Sequence, residues 1–126
     1  MISAGKNTIL VIDDEVFNLR LLTHMLGSEY TIYAAKDGQT GIETAKEHRP
    51  DLILLDIIMP EMNGYETLAA LKASAETKNI PVIIISGIDT EEEKEKELLS
   101  QAADCIHKPF DTEIVKSKVR SLIQRC

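Results

Sequence analysis

Five side chains that could carry out chemistry each come directly after an apolar run of this sequence. Asp13 and Asp14 follow the first run, Asp56 and Ser86 follow two later runs, and Lys108 follows a short last one. Asp13 or Asp14 taken alone could be an ordinary helix cap. The whole set of acids, hydroxyl and amine is better explained by one site in which the ends of several elements meet.

The expected chemistry of that site is phosphoryl transfer. Three carboxylates at close range repel one another, and a divalent cation with open positions for water, such as Mg²⁺, offsets their charge. Lys108 would be unfavourable beside a metal alone, but it is favourable if an anion lies between the two. A phosphoryl group has about −1.5 to −2 charge and three acceptor oxygens. The metal, Lys108, the Ser86 hydroxyl and backbone N–H groups could share that charge.

The apolar runs are predicted strands that alternate with predicted helices. The predicted strands cover 8–12, 31–34, 51–55, 82–85 and 104–107, with 31–34 at an edge. The predicted helices cover 16–26, 39–48, 65–73, 91–103 and 112–124. This alternation predicts an α/β fold, a doubly wound parallel sheet in a three-layer sandwich. Such folds bind ligands at the carboxyl ends of the strands.

Helical spacing predicts the apolar face of two of these helices. For the first helix the predicted apolar residues are Phe17, Leu21, Leu22 and Met25. For the last helix they are Ile114, Val115, Val119, Leu122 and Ile123. Asp111 or Thr112 is expected to cap the last helix.

Length and composition indicate a single domain over 1–126 with its core at about 8–124. Hydrophobic residues make up 44% of the 126 residues and charged residues 28%, and the net charge of −7 argues against direct nucleic-acid binding. No apolar run is long enough to span a membrane and no signal peptide is evident, so we expect a cytoplasmic protein without membrane insertion. Cys105 and Cys126 form neither a disulfide framework nor a metal-ligand pattern.

Four motifs occur in order: VIDDE at 11–15, LLDIIMPEMNGYE at 54–66, IISG at 84–87 and HKPF at 107–110. With them the sequence resembles the response-regulator receiver domains of bacterial two-component signalling, typified by the chemotaxis regulator. The resemblance covers roughly 8–124. It implies a flavodoxin-like (βα)5 fold with strand order 2-1-3-4-5.

The resemblance also implies a role for each acid. Asp56 accepts a phosphoryl group from a phosphohistidine of a histidine kinase or histidine phosphotransfer protein. Asp14 and Asp56 bind Mg²⁺ and Asp13 acts through water. Ile58 lends a backbone carbonyl to the metal and belongs to the backbone around the phosphoryl group.

The remaining site residues are implied in the same way. Lys108 pairs with the phosphoryl oxygens, Ser86 is the switch hydroxyl, and Met59 and Gly87 contribute backbone groups. The Lys108–Pro109 peptide bond is predicted to be cis, because Lys108 must turn back toward the acids directly after a strand.

The sequence departs from the family pattern at Cys105, where receivers commonly carry an aromatic switch residue. A thiol is much smaller than that ring, so Cys105 is predicted to weaken the usual switch. A partner or homodimer face is expected on the fourth predicted helix, the last strand and the last helix. There the acids of 91–97 would meet Lys116 and Arg120, although a charge run such as 91–97 is most often a solvated helix face.

Three alternatives stay open. The chain is either a free-standing regulator or a receiver fragment of a hybrid sensor kinase or cyclase. An asparagine at position 18 is similar to what receivers of hybrid kinases carry, but it can also be simply a polar residue on a helix face. An Asp-nucleophile phosphatase is less favoured, because Ile58 stands where its second Asp would be. A flavin-binding electron carrier is disfavoured by the acidic rim. We expect no enzymatic activity beyond self-phosphorylation and self-dephosphorylation.

Overall fold

The computed structural model describes residues 7–57, 64–86, 102–107 and 111–123. Strands and helices alternate along these residues. They are β1 Thr8–Ile12, α1 Val16–Leu26, β2 Thr31–Ala35, α2 Gly38–His48, β3 Leu52–Asp56, α3 Gly64–Ala73, β4 Val82–Ser86, β5 Asp104–His107 and the C-terminal helix Thr112–Ile123. Of the helix predicted over 91–103, residues 91–101 lie outside the described residues. None of the described helices combines the length and the apolar character needed to span a membrane.

All five strands are parallel and lie in the order β2-β1-β3-β4-β5, which confirms the predicted sheet. β1 lies between β2 and β3, so that Ile12 is opposite Ala35 on one side and Leu55 on the other. The weakly apolar β2 is at an edge, as predicted, and runs one residue further than expected, to Ala35.

Each face of the sheet is covered by a separate apolar layer, because successive side chains of a strand point to opposite faces. On one face, the sheet packs against α1 and the C-terminal helix through Leu22, Met25, Leu26, Val115 and Val119. On the other face, it packs against α2 and α3 through Ile42, Ala45, Leu68 and Leu71. The predicted three-layer sandwich is therefore confirmed.

Two residues predicted on apolar faces are exposed instead. The buried face of α1 consists of Asn18, Leu19, Leu22, Met25 and Leu26. Phe17 lies one position off this stripe, about 100° around the helix, and is 72% exposed. Ile114 in the first turn of the C-terminal helix is 50% exposed. Each is the direct neighbour of a buried residue, Asn18 or Val115, so their exposure reflects the side of the helix on which they lie and not their distance from the sheet.

Aspartates cap two of the helices. Asp37 accepts a hydrogen bond from the Thr40 N–H of α2 at 2.7 Å, which lowers the pKa of its carboxyl. Asp111 accepts from the Glu113 N–H of the C-terminal helix at 2.9 Å. Of the two caps proposed for that helix, Asp111 is therefore the one observed.

Gly41 is expected to be required for the packing of α2 on β1. A Cβ at this position would overlap Cδ1 of Ile12 and lie 2.8 Å from its Cγ1, and Ile12 is fully buried. Although alanine favours a helix interior by about 1 kcal/mol over glycine, we expect Gly41→Ala to lower the free energy of unfolding by about 1–3 kcal/mol through overpacking. Urea unfolding measures this change.

Lys46→Ala, at an exposed position of the same helix, is the matched control and should change stability by no more than about 0.5 kcal/mol. If Gly41→Ala is as stable as the wild type, the contact with Ile12 does not restrict this position.

Candidate functional site

Three carboxylates meet at the carboxyl end of the sheet. One oxygen each of Asp13, Asp14 and Asp56 lies within 4.8 Å of the others. Asp13 directly follows β1 and Asp56 is the last residue of β3, the strand beside it. Asp13 and Asp56 are buried, with exposures of 0% and 2%, while Asp14 is partly exposed. The acids that follow separate runs in the sequence are thus neighbours in space.

Asp13 is held in place by the two elements on either side of it. Its N–H donates to the Ala35 carbonyl at the end of β2 at 3.0 Å. Its Oδ1 accepts from the Glu15 N–H at 3.0 Å, at the entrance to α1. Its buried Oδ2 accepts no hydrogen bond from any residue that the structure describes. A buried carboxylate oxygen in this state is costly unless a cation or a donor reaches it.

The end of β3 is fixed by a close contact with the start of α3. Ile57 donates its N–H to Ile85 at 3.2 Å and accepts the Gly64 N–H at 2.7 Å. A Cβ on Gly64 would lie 2.5 Å from the Asp56 carbonyl oxygen, so only glycine permits this approach. No role was predicted for Gly64 from the sequence, although its place inside the motif at 54–66, next to the predicted start of a helix, was the available signal.

The donor set fits a hard divalent cation. All three candidate ligands are carboxylates, and Mg²⁺ prefers oxygen ligands, commonly one or two carboxylates with water completing the shell. The unpartnered Oδ2 of Asp13 and the proximity of Asp14 and Asp56 favour bound positive charge at the same point. The cluster can therefore hold such a cation.

A family model described as the response regulator receiver domain matches residues 9–120. The chain belongs to this family. The resemblance stated from the four motifs is thereby confirmed. Receiver domains are phosphoacceptors of two-component signalling, so this one is a signalling module.

Relatives of this receiver domain include proteins of very different length. The response regulator PleD of Caulobacter vibrioides is 40% identical over 115 residues, which are 90% of this chain and 25% of PleD. Protein PilH of Pseudomonas aeruginosa is 34% identical over 116 residues, which are 91% of this chain and 96% of PilH. The chain thus spans about a quarter of the length of the longer relative.

A solved structure with the same fold is the receiver domain of the sensor histidine kinase PA1611 from Pseudomonas aeruginosa. It superimposes with a TM-score of 0.85 at 26% identity and covers 95% of this chain and 98% of its own. That structure has a magnesium ion coordinated in its active site cleft.

Only some of the other predicted site residues of this receiver domain are among the described residues. Ser86 is the last residue of β4, directly beside β3 in the sheet. The remaining predicted site residues lie outside the described residues: Ile58, Met59, Gly87, Lys108 and Pro109. The cis Lys108–Pro109 bond stays a prediction.

Cys105 is a buried residue of β5, 6% exposed, opposite Ile84 of β4. A cavity of about 230 Å³ lies beside it, between β5 and the C-terminal helix, with Ile114 and Lys118 among its lining residues. A small side chain at this position is therefore accompanied by unfilled space. The prediction that Cys105 weakens the family's aromatic switch remains to be measured.

An ion pair that the sequence analysis did not anticipate ties β5 to the C-terminal helix. Lys118 Nζ donates to Asp104 Oδ1 at 2.9 Å and to the Cys105 carbonyl at 2.8 Å. Burial opposes ionisation of Asp104, but the hydrogen bond from Lys118, the hydrogen bond from the Cys105 N–H and the positive charge of Lys118 more than offset it, so the pKa of Asp104 is lowered. The pair fixes the strand that immediately precedes Lys108.

Removing one charge from the acid cluster is expected to stabilise the metal-free protein. Like charges about 4 Å apart repel by roughly 4 kcal/mol near a protein surface. We therefore expect Asp13→Asn, which retains an acceptor for the Glu15 N–H, to raise Tm in EDTA by at least about 3 °C. The stabilisation that Mg²⁺ gives to the wild type should shrink in the variant. Thermal unfolding with and without Mg²⁺ measures both effects.

Asp51→Asn is the matched control, because Asp51 precedes β3 at the opposite end of the strand and accepts the Thr8 N–H at 2.8 Å. It should leave the Mg²⁺ effect unchanged. A lower Tm for Asp13→Asn than for the wild type in EDTA would show that repulsion does not dominate the cluster.

The pair between Asp104 and Lys118 is expected to make a pH-dependent contribution to stability. Because the folded pKa of Asp104 is below its ordinary, unfolded value, the contribution is fully present above that ordinary value and is lost as pH falls through the folded pKa. Asp104→Asn should lower stability at pH 7 by about 0.5 kcal/mol, since both side chains are partly exposed. Urea unfolding at pH 7 and pH 3 should show the difference shrinking at pH 3. A difference that persists unchanged would mean that the Asp104 charge is not its source.

Proposed function

We propose that Asp56 is the phosphoacceptor of this receiver domain, in a reaction that requires Mg²⁺ held by Asp13, Asp14 and Asp56. The observation that carries the proposal is the meeting of these three carboxylates within 4.8 Å at the end of the sheet. Asp56 lies at the end of β3, the middle strand, with β1 on one side and β4 on the other. Asp56 therefore lies between the strand that precedes Asp13 and Asp14 and the strand that ends at Ser86.

In the proposed step, a carboxylate oxygen of Asp56 attacks the phosphorus of a phosphohistidine. The new O–P bond forms an acyl phosphate, the P–N bond breaks, and the imidazole departs with the bonding electron pair. Mg²⁺, when bound, offsets the negative charge of the incoming group and of the carboxylates. The chain orients Asp56 through the hydrogen bonds of Ile57 and the close approach of Gly64.

We assign the product-binding roles to residues at or after the ends of the neighbouring strands. Ser86 ends β4 and Lys108 follows β5 in the sequence, so both would lie at the rim that holds the acids. Lys108 would pair with phosphoryl oxygens, and Ser86 would donate to them and transmit the change. Ile58, Met59 and Gly87 would supply backbone groups. The added charge then biases a two-state loop.

The proposed donor is a histidine kinase or a histidine phosphotransfer protein. Its phosphohistidine must reach the rim, and apolar side chains are exposed there at the starts of α1 and the C-terminal helix. Val16, Phe17 and Ile114 are 42%, 72% and 50% exposed. These helices contact each other on one face of the sheet. Exposed apolar residues beside a reactive acid favour a protein as the phosphoryl source.

We propose two settings for this receiver domain within a whole protein. It is either a free-standing regulator comparable in length to PilH or a receiver joined to a kinase or cyclase. In either form we propose that residues 1–126 form one domain. Its own chemistry would be limited to taking up and releasing the phosphoryl group.

A homodimer or partner face that includes β5 and the C-terminal helix also stays a proposal. Lys116 and Arg120 would provide its bases. The Arg120 guanidinium lies 3.8 Å from the Glu29 carboxylate of the same chain, so a partner acid would have to compete with Glu29. Exposed pairs of this kind contribute at most about 1 kcal/mol.

Asp56→Asn is expected to abolish phosphorylation. Asparagine keeps the size of the side chain but lacks the nucleophilic oxygen, so neither acetyl phosphate nor a phosphorylated histidine kinase should label the variant. Wild-type protein should take up one phosphoryl group in Mg²⁺ and none in EDTA. Intact-protein mass spectrometry measures the label.

Asp51→Asn supplies the control, because it removes one aspartate at the far end of β3 and should be labelled like the wild type. Asp14→Ala should require more Mg²⁺, and Lys108→Ala should be labelled without switching the output. Labelling of Asp56→Asn, or equal labelling in EDTA, would refute the proposal.

A further inference from the structure

The outer edge of β2 offers unpaired backbone groups to a partner. Thr31 donates its N–H to Asn7 at 2.9 Å, and Ala35 accepts the Asp13 N–H at 3.0 Å, so both residues direct their backbone groups toward β1. Backbone groups alternate in direction along a strand. Ile32 and Ala34 therefore direct theirs outward, where the described sheet has no further strand.

A groove runs beside this edge. It has a volume of about 420 Å³ and lies between α1 and β2, lined by Leu19, Arg20, Thr23, His24 and Ala34. Leu19 and Ala34 are its apolar residues. Because Ala34 has only a methyl side chain, it leaves room for an added strand to lie close to the edge of β2, beside the groove.

The charge of the groove is opposite to that of the whole chain. The chain has a net charge of −7, yet the ionisable residues that line the groove are Arg20 and His24. Neither makes an ion pair or side-chain hydrogen bond with any residue in the described part of the chain.

We propose that this edge binds an extended acidic peptide segment, which adds to the sheet beside β2. The N–H and C=O groups of Ile32 and Ala34 would pair with the peptide backbone, as in β-strand addition. Carboxylates of the peptide would bind Arg20 and His24, which selects acidic segments over neutral or basic ones. The occupant is a partner protein's segment, and the surface is separate from the acid cluster at the rim.

The probe for this proposal is the acetylated and amidated peptide Glu-Val-Glu-Val-Glu, titrated into ¹⁵N-labelled protein. We expect the largest amide shifts at Ile32 and Ala34 and in the α1 segment that lines the groove. The Lys-Val-Lys-Val-Lys peptide should bind at least tenfold more weakly. Affinity for the acidic peptide should fall as salt concentration rises.

Protein variants separate the two parts of the interaction. Arg20→Glu should weaken binding at least tenfold by reversing the groove charge. Ala34→Pro removes an outward N–H at an edge position where proline is tolerated, and should weaken binding by a similar factor. Lys46→Glu, on α2 at the opposite face of the sheet, should stay within twofold of the wild type.

Two N-methylated versions of the acidic peptide, one methylated at the odd residues and one at the even residues, test backbone pairing without changing the protein. At least one of the two should lose binding, because its methyl groups block the N–H groups that face β2. Three results would overturn the proposal: no shifts at millimolar peptide, shifts that map away from β2, or equal binding of the acidic and basic peptides. Light scattering that shows a dimer of the chain alone, lost in Ala34→Pro, would also overturn it, because the edge would then belong to a second copy.

Discussion

The register between β1 and β3 is the constraint on which the site depends. Ile12 lies opposite Leu55, and the residue that follows each of them is an aspartate, so Asp13 and Asp56 reach the same rim side by side. A shift of one residue would turn every side chain of a strand to the other face. Because both strands are buried on both faces by apolar layers, the core prevents such a shift. The apolar residues of β1 and β3 thereby fix the positions of Asp13 and Asp56, although neither acid is part of the apolar layers.

The elements around this register oppose the repulsion between the acids. Asp13 is bonded to β2 on one side and to the start of α1 on the other. Gly64 allows α3 to begin against the end of β3, which limits the movement of Asp56. A movement of Asp13 away from the cluster would break its hydrogen bonds to Ala35 and Glu15. A site that keeps like charges close in this way is prepared for a cation before the cation arrives.

The sequence predicted the fold class and the meeting of the acids, because parallel strands in an alternating α/β pattern end at one rim. The sequence could not reveal features that depend on where the sheet stops or on how helices approach it. Phe17 fits an apolar helical pattern, yet it lies off the face of α1 that packs on the sheet and is exposed. Gly64 was a visible glycine, but its contact with the Asp56 carbonyl arises only in three dimensions. The bond between Lys118 and its acid joins residues 14 positions apart, and no periodic pattern encodes it.

The strand order also restricts how the chain acquires its structure during synthesis. β1 is made first but lies between β2 and β3, so its second neighbour exists only after residue 56 has been made. β3 in turn pairs with β4, which ends at Ser86. Parallel neighbours cannot form from a local hairpin, and sheets with such distant pairings fold slowly. A nascent chain therefore leaves an edge of the apolar β3 unpaired until β4 has emerged, and apolar strands that are exposed in this way are prone to aggregate.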